Sequence, residues 1–272
     1  MSNIVTIHSF SRGTGKSMLS LNMAAALAKA GKRVGLVDMN LLTPSLHISL
    51  GIAAEQIGYT IQDYLAGICE AQHLPIDVTA RLDEKLSGKL FFVAARSDIS
   101  VQRLPREAYP AERLLEGYMA LSDYAKLDIL LIDCEAGLTE VTLPAVAAAD
   151  MLLVVMRLDQ HDYQGTGVAI DVATTLDVPD IGLVVNMVTS EHDPLEVARK
   201  IQDTYKRPVR AVLPHSRTAL ALAEREMVVL KAPEHPLAEG IVELTQYCLT
   251  MSKKTASNSA IDSSTLHQSA RH

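Results

Sequence analysis

A chain of 272 residues with 48% hydrophobic and 21% charged side chains and no Trp has ample apolar material for one large α/β core or two small ones. Its formal net charge of −7 excludes uniform adhesion to nucleic acid or anionic lipid, so contact with a polyanion needs a local basic patch. Cys69, Cys134 and Cys248 lie too far apart for a disulfide framework or a zinc site, and the longest apolar run near the middle, Met151 to Met156, falls far short of the ~20 residues of a membrane span.

Along the chain, short β-rich runs alternate with longer Ala- and Leu-rich stretches. This is the pattern of an α/β, doubly wound, mostly parallel sheet with helices on both faces, in one domain over residues 1–251. The opening NIVTIHSF lacks the basic, apolar and small-residue succession of a signal peptide, so a cytoplasmic location is expected. Strands are expected at Asn3 to Ile7, Arg33 to Val37, Leu90 to Ala94, Leu127 to Ile132, Met151 to Met156, Ile181 to Val188 and Val209 to Leu213. The clearest helix follows the first strand: Leu19, Met23, Ala26, Leu27 and Ala30 fall at helical spacing, and Gly31 suits the position just past its end. A final helix is expected at Leu237 to Met251. Residues 252–272 are polar and Ser-rich, with an expectation of disorder. They lack the bulky apolar residues opposite Lys and Arg that a membrane-targeting amphipathic tail needs.

Between the first strand and the first helix lies HSFSRGTGKSML, His8 to Leu19. A strand end feeding a helix N-terminus makes a phosphate cradle, because successive backbone N–H groups converge on the anion. Gly13 and Gly15 permit close approach, with Thr14 between them and Met18 continuing the cradle into the helix. Lys16 would reach the β- and γ-phosphates, and the Ser17 hydroxyl would ligate Mg²⁺. Phe10 occupies the position where the common G-x-x-x-x-G-K-[ST] motif has glycine.

The stretch resembles the deviant loop K-G-G-x-G-K-[ST] of the ParA/MinD family of dimerising P-loop ATPases, with Ser11 in place of the first lysine and Arg12 in place of the first glycine. The similarity runs over about residues 1 to 250. VGLVDMNLLTPSLHISLG resembles the family's second strand and switch I, which implies that Asp38 holds a magnesium-bound water. LDILLIDCEAGL resembles its Walker B strand and switch II, which implies that Asp133 completes the metal's surroundings. Asn186 in LVVNMV and Pro214 in AVLPHSRTALALAERE resemble the adenine side, where the amide reads the base edge and the loop covers its face; a simple strand cap is the other reading of Asn186. The implied ligands are ATP, ADP and Mg²⁺.

Two departures bear on mechanism. The family's missing lysine reaches across an ATP-sandwich dimer to the partner's phosphates, so Arg12 or Arg157 is expected to supply that charge. Arg157 reads equally as a surface arginine in an ion pair. The second departure is Asn40, where relatives carry Asp facing the attacking water. An amide positions water without accepting its proton, so slow hydrolysis is expected.

The nine histidines show no metal-ligand spacing, and Cys134 reads as a small buried hydrophobe. Iron–sulfur relatives of the family need clustered cysteines, which this chain lacks. Arg199, Lys200, Lys206, Arg207, Arg210 and Arg217 share the span 199–217 with one acid, Asp203. This is either a solvated face or a patch for DNA phosphates. The resemblance therefore implies an ATP-state homodimer that binds nucleoid DNA non-specifically and positions a cargo through an adaptor protein that stimulates hydrolysis. The loss of the lysine to Ser11 is similar to the McdA-type, carboxysome-positioning branch. Plasmid or chromosome partition is the neighbouring reading. A nucleotide-gated regulatory scaffold with little hydrolysis is the reading from a different class, and a membrane-associated, MinD-like role is disfavoured by the tail.

Overall fold

The computed structural model describes residues 2–82, 86–96, 111–217, 221–222 and 226–250. The strands are β1 (Asn3–Ser9), β2 (Arg33–Met39), β3 (Ile76–Asp77), β4 (Lys89–Val93), β5 (Ile129–Ala136), β6 (Met151–Met156), β7 (Asp180–Val188) and β8 (Val209–Pro214). They form one sheet in the order β3-β4-β2-β5-β1-β6-β7-β8. Every neighbouring pair is parallel except β3 with β4. The helices are α1 (Lys16–Lys29), α2 (Leu46–Ser49), α3 (Ile61–Leu65), α4 (Ala111–Ala125), α5 (Thr142–Ala147), α6 (Gln160–Thr175) and α7 (Pro194–Tyr205), followed by Val228–Lys231 and a last helix over 236–250.

All the expected strands form. The addition is β3, whose two residues are too few to leave a period in the sequence. Central strands such as β5, ILLIDCEA, are buried along nearly their whole length, because helices cover both faces. On one face, Ile129 and Leu131 of β5 pack with Leu19, Met23 and Leu27 of α1 and with Leu237 and Ile241 of the last helix. On the other, Leu130, Ile132 and Cys134 meet Leu114, Tyr118 and Leu121 of α4, and α6 and α7 cover β6 and β7. Each such aliphatic side chain contributes about 1.5–3 kcal/mol of burial.

Helix α1 differs from the amphipathic stripe read from its sequence. Residues Leu19 to Ala28 are buried on every side, because the sheet lies on one flank and the C-terminal helices on the other. It ends at Lys29 and leaves Ala30 exposed, while Gly31 takes the expected left-handed turn at φ 85°. Among the described residues no helix is long and apolar enough to cross a membrane. The tail, 252–272, lies outside the described residues, as does Met251.

Candidate functional site

Strand β1 sits between β5 and β6, where the strand order reverses direction, and ligands of open parallel sheets bind at the carboxyl ends beside such a point. The chain leaves β1 at Ser9, turns through Gly13 (φ 71°) and Gly15 (φ 89°), and enters α1 with Gly15 as its N-cap. Both glycines hold backbone conformations that side chains resist. At Gly15 a Cβ would also fall on the amide nitrogen of Asn186.

This loop borders a cleft of about 260 Å³, lined by Gly13, Thr14, Gly15, Lys16, Ser17 and Met18, by Arg12, by Asn40 and Thr43 after β2, and by Glu135 and Ala136 at the end of β5. The N-terminus of α1 and its free N–H groups open on it, the arrangement that holds a phosphate chain. A larger cavity of about 610 Å³ lies between α6 and α7. Its lining carries Asp159, Glu191, Asp193 and Glu196 against the cation Lys200, a net negative charge that disfavours nucleotide.

Lys16 is buried, and its Nζ donates to Ser9 Oγ at 2.7 Å. Thr14 Oγ1 donates to the same oxygen at 3.0 Å, and Ser9 Oγ donates to Ser11 O at 2.6 Å. Ser9 is thus the node that folds the loop and parks the lysine, a role not read from the sequence, where it lies just past the expected first strand. Burial draws the Lys16 ammonium below the ordinary lysine range, against the attraction of Asp133.

Two acids lie side by side behind the loop. Asp38 of β2 and Asp133 of β5 are register partners, and both are buried. Asp38 accepts from the backbone N–H groups of Asn40 (3.0 Å) and Leu46 (3.3 Å). Burial, and then the charge of Asp133, push it up to about 7. Burial likewise raises Asp133, opposed by the hydroxyls of Ser17 and Ser20 and by Lys16. Ser20 donates to Asp133 Oδ1 at 2.9 Å, whereas the buried Oδ2 has no hydrogen-bond partner. An unpartnered carboxylate oxygen, a second carboxylate and the Ser17 hydroxyl form a sparse set of hard oxygen donors. Such a set fits Mg²⁺, which keeps several waters and takes few protein ligands.

The remaining expected residues are placed as follows. Asn40 lines the cleft, but its amide is engaged locally: Nδ2 donates to Thr43 O at 2.9 Å, and Oδ1 accepts from Thr43 N and Oγ1, both at 3.2 Å. Arg157 sits between β6 and α6, with Nε donating to Asp162 at 3.1 Å and Nη2 paired with Asp159 at 3.0 Å. Its guanidinium is committed within its own chain, while Arg12 is exposed at the cleft. Asn186 Nδ2 donates to Thr14 O at 2.8 Å, so its amide braces the phosphate loop from β7. Pro214 ends β8 at the same edge of the sheet, opposite Val188, and is not among the residues lining the phosphate cleft.

The basic cluster is smaller than its sequence suggested. Arg199, Lys200, Lys206 and Arg217 are exposed and Arg207 is half-buried. Arg210 is drawn away: it pairs with Asp180 at 3.0 Å and stacks over the Tyr247 ring at 3.9 Å. The sequence reading also passed over Glu135. Its signal was available, since D-C-E at a strand end places two acids two residues apart, the period of one sheet face.

The family model for ParA, described as the NUBPL iron-transfer P-loop NTPase, matches residues 1–248. An uncharacterized ATP-binding protein of Methanocaldococcus jannaschii is 32% identical over 247 residues, covering 90% of this chain and 86% of the relative. The septum site-determining protein MinD complexed with Mg-ADP from Pyrococcus horikoshii superposes with a TM-score of 0.74 at 22% identity, covering 91% and 96% of the two chains. Apo McdA of Cyanthece gives a TM-score of 0.74 at 15% identity, covering 92% of this chain and 100% of that one, a likeness of fold. With the loop, the paired acids and the strand order in place, the chain belongs to the ParA/MinD family of P-loop ATPases.

Proposed function

We propose that the protein is a Mg²⁺-dependent ATPase working as a dimerisation switch that positions cargo. ATP joins two copies face to face, the dimer attaches to nucleoid DNA without sequence preference, and an adaptor on the cargo stimulates hydrolysis and release. The cargo is a carboxysome-type organelle, a plasmid or a chromosome. The observation that carries this reading is the phosphate cleft, with buried Lys16 on one side and the register pair Asp38 and Asp133 behind it. The ATP-binding relative and the Mg-ADP complex of MinD support the ligands ATP, ADP and Mg²⁺.

Arg12 is the stronger candidate for the charge supplied in trans, because Arg157 would first have to leave two carboxylates. Arg199, Lys200, Lys206, Arg207 and Arg217 are the candidate DNA contacts. An iron–sulfur carrier is not favoured: Cys69, Cys134 and Cys248, all the cysteines of the chain, are buried. One observation favours a second reading, a nucleotide-gated scaffold with little hydrolysis. It is the engagement of the Asn40 amide by Thr43, which takes that side chain off the attacking water.

The test is molecular mass in ADP and in ATP with Mg²⁺, repeated on long DNA across a salt series. Doubling of mass and DNA retention in ATP alone, with retention falling as salt rises, are the expected results. Identical mass and retention in both nucleotides overturn the switch.

A further inference from the structure

With the Asn40 amide engaged by Thr43, the phosphate cleft needs another group to hold the attacking water, and among the described residues one acidic side chain lines it: Glu135. It follows Asp133 by two residues at the end of β5, where Ile129 and Leu131 face α1 and Leu130, Ile132 and Cys134 face the opposite layer. The register with β1 slips just there. Ile7 lies opposite Asp133 and Ser9 opposite Ala136, so β5 carries one extra residue across His8. Bulges of this kind re-aim a side chain at the edge of a site. Glu135 as a residue is only 6% exposed, and its Oε1 accepts the Thr139 hydroxyl at 2.8 Å, which fixes the headgroup at the cleft wall. Thr139 is itself held, its Oγ1 accepting from Thr142 N at 3.2 Å.

We propose that Glu135 orients the attacking water in ATP hydrolysis, the place that Asn40 leaves; the inference rests on the ATPase reading given above. In the step, the water oxygen bonds to the γ-phosphorus as the bond from that phosphorus to the β,γ-bridging oxygen breaks. ADP departs with the electron pair. One water proton stays on the phosphate and the other passes to solvent. Glu135 accepts a hydrogen bond from the water throughout and ends the step unchanged.

Single-turnover hydrolysis of MgATP by the full chain tests this, with MgATP affinity measured in parallel. E135A is expected to lower the rate by roughly 100-fold and leave the affinity unchanged. E135Q, which keeps the volume and an acceptor oxygen for Thr139, falls by about 10-fold. N40D added to E135A recovers at least ~10-fold of the lost rate, because a carboxylate returns to the same cleft. Should E135A lose MgATP affinity as well, E135Q carries the decision by the same split of rate from affinity. Wild-type rates in both Glu135 variants overturn this inference and leave the ATPase reading standing. A slow E135A that N40D does not rescue overturns it too, by assigning Glu135 to the loop's fold. Binding without any wild-type hydrolysis overturns the ATPase reading itself.

Discussion

Asp38 on β2 stands directly opposite Asp133 on β5, and the pair is buried in one strand-to-strand register. Neighbouring carboxylates out of water resist joint ionisation, so Asp38 sits at about 7, held there by burial first and by Asp133 second. A divalent cation favours the ionised form and lowers that value, so MgADP binding at about pH 7 should release a substantial fraction of a proton. Release should vanish by about pH 8.5, where Asp38 is already ionised. Calorimetry in two buffers of different ionisation heat measures it. The Asp38→Asn variant should release none of this fraction, and equal release from the variant and the wild type refutes the assignment.

Asn186 links β7 to the phosphate loop. Its Nδ2 donates to Thr14 O at 2.8 Å and its Oδ1 accepts from Met187 N at 2.9 Å, all at 2% exposure. Asn186→Ala leaves a buried carbonyl unsatisfied, so it should cost about 1–3 kcal/mol of stability and weaken nucleotide binding. Bracing predicts equal weakening for adenosine and guanosine diphosphates; a loss confined to adenosine assigns the amide to the base. Gly15→Ala should be worse. It forces a side chain into a φ of 89° and onto the Asn186 amide at once. Denaturant unfolding and nucleotide titration of both variants check these outcomes.

Much of this was legible from residue order. The strand runs, the phosphate loop and the two acids closing β2 and β5 follow from apolar patterning and from glycine and carboxylate placement, which act over a few residues. The partners of long polar side chains were not legible. Arg157 meets Asp159 and Asp162, and Asn40 meets Thr43, within five residues of chain through the turns that follow β6 and β2, whereas Arg210 with Asp180 and Tyr247 depends on how distant elements meet. Glu135 falls between the two cases. Its spacing from Asp133 was plain, but the bulge beside it arises only from pairing with β1.

The basic cluster divides into two kinds of cation, and mutation should separate them. Arg199, Lys200 and Lys206 are exposed on and just beyond α7. Changing all three to Glu should weaken DNA retention in ATP and flatten its salt dependence, with thermal stability nearly unchanged. Arg210 sits against Asp180 and the Tyr247 ring, and Tyr247 itself donates to Asp180 at 2.8 Å. Arg210→Ala should therefore lower the unfolding midpoint while leaving DNA retention close to wild type. DNA binding lost in Arg210→Ala and kept in the triple variant would reverse the assignment.

His8 on β1 places Nε2 at 2.8 Å from Gly137 O, so the neutral ring carries its proton there, and Nδ1 is buried without a partner. Burial, the largest influence, brings its pKa from 6.5 down to about 4; the Gly137 carbonyl opposes the shift and Lys16 adds to it. The unfolded chain therefore takes up this proton first. Stability from His8 is full above pH 6.5 and drains as the pH falls toward 4, a loss of about 3 kcal/mol across the interval. Asp38 acts with the opposite sign over an overlapping range, since its raised pKa favours the folded state as the pH falls from about 7. The total unfolding curve thus hides both terms, and the informative quantity is the difference between the wild type and His8→Gln, in which Asp38 cancels. That difference should shift against the wild type by about 3 kcal/mol between pH 7 and pH 4 in nucleotide-free denaturant unfolding. A flat difference would mean that the folded state accepts the proton at His8 as readily as the unfolded chain does, and that strand β1 opens to water beside Gly137.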